Sequence, residues 1–437
     1  MWWKRTGWCW KSGFTAISLM LLVCISGCQN AAPGENITAQ ETGGENGRAA
    51  SEGGYDVRDQ LEGDTASEPD QKENMLPEPE EEKIAEICSD LFQRAAKENK
   101  LDDLDRIRGI VQRLGEKGYP AVDSKNQMDM VRAQEVVRFC QAAECWEEGE
   151  ITIIAVTDTG GLIQYDLRAE NGNLDVERTY YKYENGKVKK KDTGKYQARH
   201  WSYTKEGYLM FDGAWFSKQE YVLMSGQAEE YTALRVLPLE ETYRELNRNY
   251  LLPVSYERNN MFLVDWSEED FGELDFYDMY DIFYPKVMRK SIPYTPDENL
   301  GVGAVYQIPP EEFEPVFMTY FKIDRETLRK KTVYDAESGT YEYKPRGFYE
   351  IEYPEYPYPE VVGASQNKDG TITLEVNVVY PYAGDSKAYA HQVVVRPLEE
   401  AGVQYVSNRI IPSEENREEN WHIPRLTEEK WEEIYGE

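Results

Sequence analysis

The stretch of this chain best equipped for chemistry runs from Asp265 to Asp281. Seven acids (Asp265, Glu268, Glu269, Asp270, Glu273, Asp275 and Asp278) precede Asp281, interleaved with Trp266, Phe271, Phe276, Tyr277 and Tyr280. Carboxylates accept hydrogen bonds and aromatic rings offer stacking faces, a combination that suits a sugar or a cationic ligand. The ligand-binding residues this pattern nominates are Trp266, Asp275, Tyr277, Asp278 and Tyr280. The plainer reading of the same letters is an amphipathic helix with a core stripe of rings and a solvated acidic face. A glycosidase needs only two carboxyl groups about 5–10 Å apart, a distance that spacing along the chain does not define.

Other chemistries find less support. No Gly-x-Ser-x-Gly is present, Gly363-Ala364-Ser365 stopping one residue short, so no serine nucleophile sits on a strained elbow. The three histidines, His200, His391 and His422, lie far apart, and His391 shares a strand face with Tyr389, Val393 and Val395, as a packed histidine would. There is no His-Glu-x-x-His and no Cys-x-x-Cys, hence no zinc signal. Asn171, Asn173 and Asp175 have the alternate spacing of a calcium loop, but Val176 and Lys182 replace its glycine and closing glutamate. Asp270-Phe271-Gly272 matches a kinase triplet without a phosphate loop or a His-Arg-Asp. The sequence therefore assigns no catalytic residue, no metal ligand and no cofactor; it favours a non-catalytic protein and leaves a carboxylate-dependent enzyme as the alternative.

The elements that would position a site begin with an address. Lys4, Arg5 and Lys11 precede an apolar run from Phe14 to Ile25, the layout of a secretory signal peptide. About a dozen apolar residues are too few for a mature transmembrane helix. The ending Ile25-Ser26-Gly27-Cys28 resembles the lipobox of bacterial lipoproteins, and that resemblance implies cleavage after residue 27 and a lipid on Cys28. Residues 28–82 then carry fifteen acids against Arg48, Arg58 and Lys72, with few large apolar side chains. Such a segment cannot bury enough surface to offset its ordering entropy and reads as a disordered acidic linker. The chain as a whole has a formal charge of −32, which repels nucleic acid and excludes it as a partner.

Beyond the linker the fold class reads as α+β, each of two halves being a helical lead followed by an antiparallel β-meander. In residues 83–237, apolar stripes predict three helices: Ile84 to Ala95, Leu104 to Leu114, and Met130 to Cys140 after a capping box at Ser124 and Gln127. Ile151 to Val156 is a continuous apolar run, as in a strand covered on both faces. Asn171-Gly172 and Asn185-Gly186 mark two hairpins. Further strands are expected at Arg199–Tyr203, Tyr208–Phe211, Tyr221–Met224 and Tyr231–Leu237.

In residues 238–437, helical spacing resumes from Glu240 to Tyr250. Ser267 with Asp270 is expected to cap a helix carrying Phe271, Leu274, Tyr277 and Tyr280, and Pro309-Pro310 opens another. Three prolines keep Tyr353 to Pro359 out of helices and central strands. Strands at Thr371–Tyr380, Ala388–Leu398 and Val403–Ile411 complete a sheet, and the acidic end with Trp421 and Trp431 reads as a docking helix. After Cys9 and Cys24 leave with the signal, Cys88, Cys140 and Cys145 allow at most one bridge, from Cys88 to one of the others; buried thiols are the alternative.

The blocks Leu274-Asp275-Phe276-Tyr277-Asp278, Asn299 to Pro309 (NLGVGAVYQIP) and Arg346-Gly347-Phe348-Tyr349-Glu350 resemble those of an uncharacterised family of exported lipoproteins from clostridial-type Gram-positive bacteria, over about residues 83–411. That resemblance implies a location and a bacterial type, with no activity and no site. The expected protein is a lipid-anchored lipoprotein on the outer face of the cell membrane that binds or assembles there. Its partners would be the membrane through the anchor and an envelope protein or cell-wall glycan. The alternative is a wall-facing, carboxylate-dependent hydrolase of glycosidase type.

Overall fold

Apolar residues at helical spacing place one face of each leading helix against a sheet. The computed structural model describes residues 80–214, 229–296, 303–350, 355–399, 402–417 and 420–436. The chain divides into Met1–Pro77 and the unit Glu78–Glu437. The expected signal peptide, Cys28 and almost all of the linker lie outside the described residues, as does the strand expected at Tyr221–Met224.

Helices α1 (Glu80–Lys97) and α2 (Leu104–Glu116) cover one face of a five-stranded sheet with strand order β1-β2-β3-β4-β5. Its strands are β1 (Ala121–Asp123), β2 (Gly149–Thr157), β3 (Gly161–Glu170), β4 (Asn173–Glu184) and β5 (Lys187–Gln197). Ile84, Cys88 and Phe92 of α1 meet Ile154, Val156, Leu162 and Tyr181 of the sheet. On the opposite face Ile153, Ala155 and Tyr165 pack against α3 (Ala133–Glu144) and a second sheet of β6 (His200–Tyr203), β7 (Tyr208–Ala214) and β8 (Glu229–Arg235). The continuous apolar run in β2 is thus covered on both faces, each large side chain contributing roughly 1.5–3 kcal/mol by burial. Asn171-Gly172 and Asn185-Gly186 take positive φ at both positions of each pair, the condition for the tight hairpins their letters predict.

Two local expectations shift. Ser124 does not start a helix: the Asp123 carboxylate accepts from the backbone N–H of Lys125, Gln127 and Met128, which folds that stretch into a loop. The strand before it, β1, pairs in parallel with β2, and α3 begins only at Ala133. Cys88 and Cys140 are buried as free thiols, so no bridge forms from Cys88.

The later residues build a separate core from Leu251 to Trp421. Its sheet has the order β13-β14-β15-β16-β9: β13 (Tyr358–Gln366), β14 (Ile372–Val379), β15 (Ala390–Pro397), β16 (Val403–Ile411) and β9 (Trp266–Ser267). Pro359 falls on the edge strand β13, where a missing donor breaks no ladder. A three-stranded sheet of β10 (Tyr306–Ile308), β12 (Thr340–Tyr343) and β11 (Tyr334–Asp335) was not legible in the sequence pattern. Helix Pro310–Tyr320 touches β12 and β16 and packs on helix Phe276–Met288, and two shorter helices follow at Arg325–Lys331 and Glu428–Tyr435. The two cores meet at a buried ion pair in which Arg235 donates to Glu360 at 2.5 Å while the Tyr208 hydroxyl donates to its other oxygen at 2.7 Å.

Candidate functional site

The acidic–aromatic run does not form one long helix. Ser267 caps a tight turn, its hydroxyl accepting from Glu269 and Asp270 N–H, and Gly272 follows at positive φ, which breaks helical continuity. The helix begins at Phe276 with Asp275 as its cap, the carboxylate accepting from Tyr277 N–H at 2.9 Å and Asp278 N–H at 3.0 Å. Asp275, Asp278 and Asp281, three residues apart, then share one helix face.

That face meets two guanidinium groups brought from far along the chain. Arg346 grips Asp278 at 2.9–3.1 Å through Nε and Nη2, and Arg425 Nε donates to the same carboxylate at 2.8 Å. Arg425 also pairs with Asp281 through Nη2 and donates through Nη1 to the Lys344 carbonyl at 2.8 Å. The Tyr343 hydroxyl donates to Asp281 at 2.5 Å. Arg346 reaches on to the Ile423 carbonyl at 2.7 Å, and Glu350 accepts from Leu426 N–H at 2.9 Å, so the C-terminal segment is laced down over the cluster. The Asp278 side chain is 0% exposed. Burial pushes its carboxyl up to about 6, with Asp275 adding to the rise and Arg425, Arg346 and His422 opposing it.

Above this cluster lies a cleft of about 230 Å³. Asp275 and Tyr277 line it together with Glu342, Lys344, Glu428 and Trp431, and Glu350 and Arg425 form part of its floor. Tyr277 keeps its proton, since burial pushes its phenol to about 12, and its oxygen accepts from Val333 N–H at 2.8 Å. The Lys344 ammonium sits 4.2 Å from the centre of the Trp431 ring, donates to both Glu428 oxygens at 2.7 and 2.8 Å, and lies 3.1 Å from Glu342.

Of the five residues nominated by sequence, the structure thus brings Asp275 and Tyr277 to the cleft and places Asp278 directly behind Arg425. Trp266 and Tyr280 go to the core instead. Trp266 stacks on Phe271 and donates to the Met261 carbonyl at 2.8 Å, while the Tyr280 ring lies 4.8 Å from that of Phe313. Lys344, Arg425, Glu428 and Trp431 carried no signal as one site, because more than eighty residues separate Lys344 from Trp431. Glu428 and Trp431, three apart on an amphipathic helix, were the one hint.

Two other concentrations of polar groups have plainer accounts. A larger open groove of about 770 Å³ runs over the polar end of the first sheet. There Thr152 donates to Asp166 and Lys195 pairs with Glu177 across neighbouring strands, as on any solvated sheet face. His391 is fully buried between the Tyr256 hydroxyl and Asn408, each at 2.7 Å. Among the described residues no group of acids, histidines or cysteines is arranged to hold a metal ion, and no helix is long and apolar enough to cross a membrane.

Fold and cleft define a class: an α+β chain whose small acidic–aromatic cleft rests on a buried carboxylate–guanidinium cluster. The chain belongs to the family of unknown function DUF6070, whose model matches residues 75–425. No curated protein and no solved structure matches it.

Proposed function

We propose that this is a lipid-anchored extracytoplasmic lipoprotein of a clostridial-type Gram-positive bacterium, held on the outer face of the cell membrane through Cys28. It acts by binding at the cell surface, and its cleft at Asp275 and Tyr277 takes part of a cell-wall glycan or an envelope protein. The anchor rests on the lipobox. The observation that favours binding over hydrolysis is the fate of the carboxylates: Asp278 and Asp281 are consumed by Arg346 and Arg425, and Asp275 caps a helix. A general acid has to exchange its proton with substrate, and Asp278 has no exposed surface from which to do so.

The test uses the intact protein in two parts. In a detergent partition the native chain enters the detergent phase and Cys28→Ala stays in the aqueous phase; an unchanged partition refutes the anchor. On an array of wall glycans and cationic peptides the native chain is retained and Asp275→Asn weakens retention, while release of cleaved glycan would replace binding by hydrolysis.

A further inference from the structure

The contacts around Lys344 have the composition of an ammonium-recognition site. A carboxylate holds the charge with both oxygens (Glu428), a second carboxylate stands beside it (Glu342), and the Trp431 ring presents its π face at 4.2 Å. These are the means by which proteins bind amines: charge-assisted hydrogen bonds from N–H to carboxylate, and a cation over the negative face of an indole. The present occupant is a side chain of the chain itself.

Three further observations separate this cage from an ordinary surface ion pair. First, it opens into a cleft rather than onto a convex surface. At about 230 Å³ the cleft is smaller than the ~300–1,000 Å³ typical of drug-sized ligands and matches a single side-chain-sized group. Second, the lining holds four carboxylates (Asp275, Glu342, Glu350, Glu428) against two cations (Lys344, Arg425), an excess of two negative charges. Arg425 is shared among Asp278, Asp281 and, at 3.8 Å, Asp275, so among the described residues the cation that faces Glu342 and Glu428 is Lys344. Third, two aromatic residues, Tyr277 and Trp431, line the same cleft, and Trp431 is carried by the terminal helix Glu428–Tyr435.

We propose that this cleft is a binding subsite for a primary ammonium group, such as the side-chain amine of a peptide, and that Lys344 is a built-in occupant which the incoming amine displaces. The proposal rests on the reading of the cleft as a ligand site and adds the ligand's chemistry. Exchange of one ammonium for another keeps the charge inside the cage constant, so Glu342 and Glu428 are never left facing each other without a cation. A flexible lysine stem suits this role better than arginine, because its charge is compact and its donors rotate. The Lys344 stem swings out while the Trp431 ring and Glu428, on one short helix, stay in place.

The experiment is a calorimetric titration of the intact protein with two probes, N-acetyl-lysine methylamide and its uncharged counterpart N-acetyl-norleucine methylamide. Lys344→Ala removes the resident amine, and it is expected to bind the lysine probe about tenfold or more tightly than the native chain does. The norleucine probe gives no binding. Adding Glu428→Gln to Lys344→Ala lowers affinity for the lysine probe by about tenfold or more. Should Lys344→Ala not fold, Lys344→Met keeps an apolar stem against Trp431, and its melting temperature rises with the lysine probe alone. Equal response to both probes, no response in a folded variant, or native affinity equal to that of the variant overturns the proposal. A chain that is retained on the glycan and peptide array yet fails this titration loses only the ammonium assignment. A chain that fails both loses the cleft as a site.

Discussion

His391 supplies a prediction whose sign and size both follow from its surroundings. The Asn408 amide donates to the Val264 carbonyl at 2.8 Å, which leaves its oxygen facing His391 Nδ1. Nδ1 therefore carries the proton, and Nε2 accepts from the Tyr256 hydroxyl. A second proton on Nε2 would charge a fully buried ring and strand that hydroxyl's hydrogen. Burial accordingly lowers the imidazole from 6.5 to about 4, and the Asn408 contact only partly opposes this. A histidine depressed in the folded state gives stability that is whole above the unfolded value near 6.5 and is lost as pH falls toward 4, because the unfolded chain takes up the proton first. The loss attributable to His391 is about 2 kcal/mol at pH 5 and about 3 kcal/mol at pH 4. Asp278 acts oppositely in the same window: raised from 3.8 to about 6, it favours the folded state as pH falls from 6 toward 4. The native curve alone therefore mixes the two groups. Denaturant unfolding of native protein and His391→Gln at pH 7 and pH 4 isolates the histidine. The variant's destabilisation should shrink by about 3 kcal/mol between the two. A destabilisation that is the same at both, or an imidazole that titrates near 6.5 by NMR, refutes the reasoning.

Asp278→Asn leaves Arg346 and Arg425 buried beside a neutral amide and should cost about 3–5 kcal/mol in denaturant unfolding; a cost below 1 kcal/mol would mean the cluster is not desolvated. Tyr280→Phe should be neutral or stabilising by up to about 1–3 kcal/mol in the same assay, since the Tyr280 hydroxyl is buried with no hydrogen-bond partner among the described residues. Limited proteolysis should cut the acidic residues 28–82 well before residues 83–437, and equal protection of the two, read by mass spectrometry, would refute the linker reading.

Local letters were enough for most elements and for several of the site's neighbours. Turn chemistry placed the hairpins at Asn171-Gly172 and Asn185-Gly186, because positive φ is a property of those residues themselves. Alternation placed β14 and β15, and helical stripes placed α1 and α2, because a face that must be buried writes its period into the chain. The acidic–aromatic run was likewise visible as a composition. Its division into parts was decided by tertiary structure. The helix starts at Phe276 because Asp275 and Gly272 outcompete the cap at Ser267, a contest of short-range bonds that propensity does not rank. Asp278 is buried because Arg346 and Arg425 arrive to balance it, and Trp266 is core because β9 pairs with β16. The cleft itself exists only once the C-terminal helix sets Trp431 and Glu428 against Lys344. Charge pairing acts through space with no period along the sequence, so the residues that make the cleft could be recognised together only after the chain had folded.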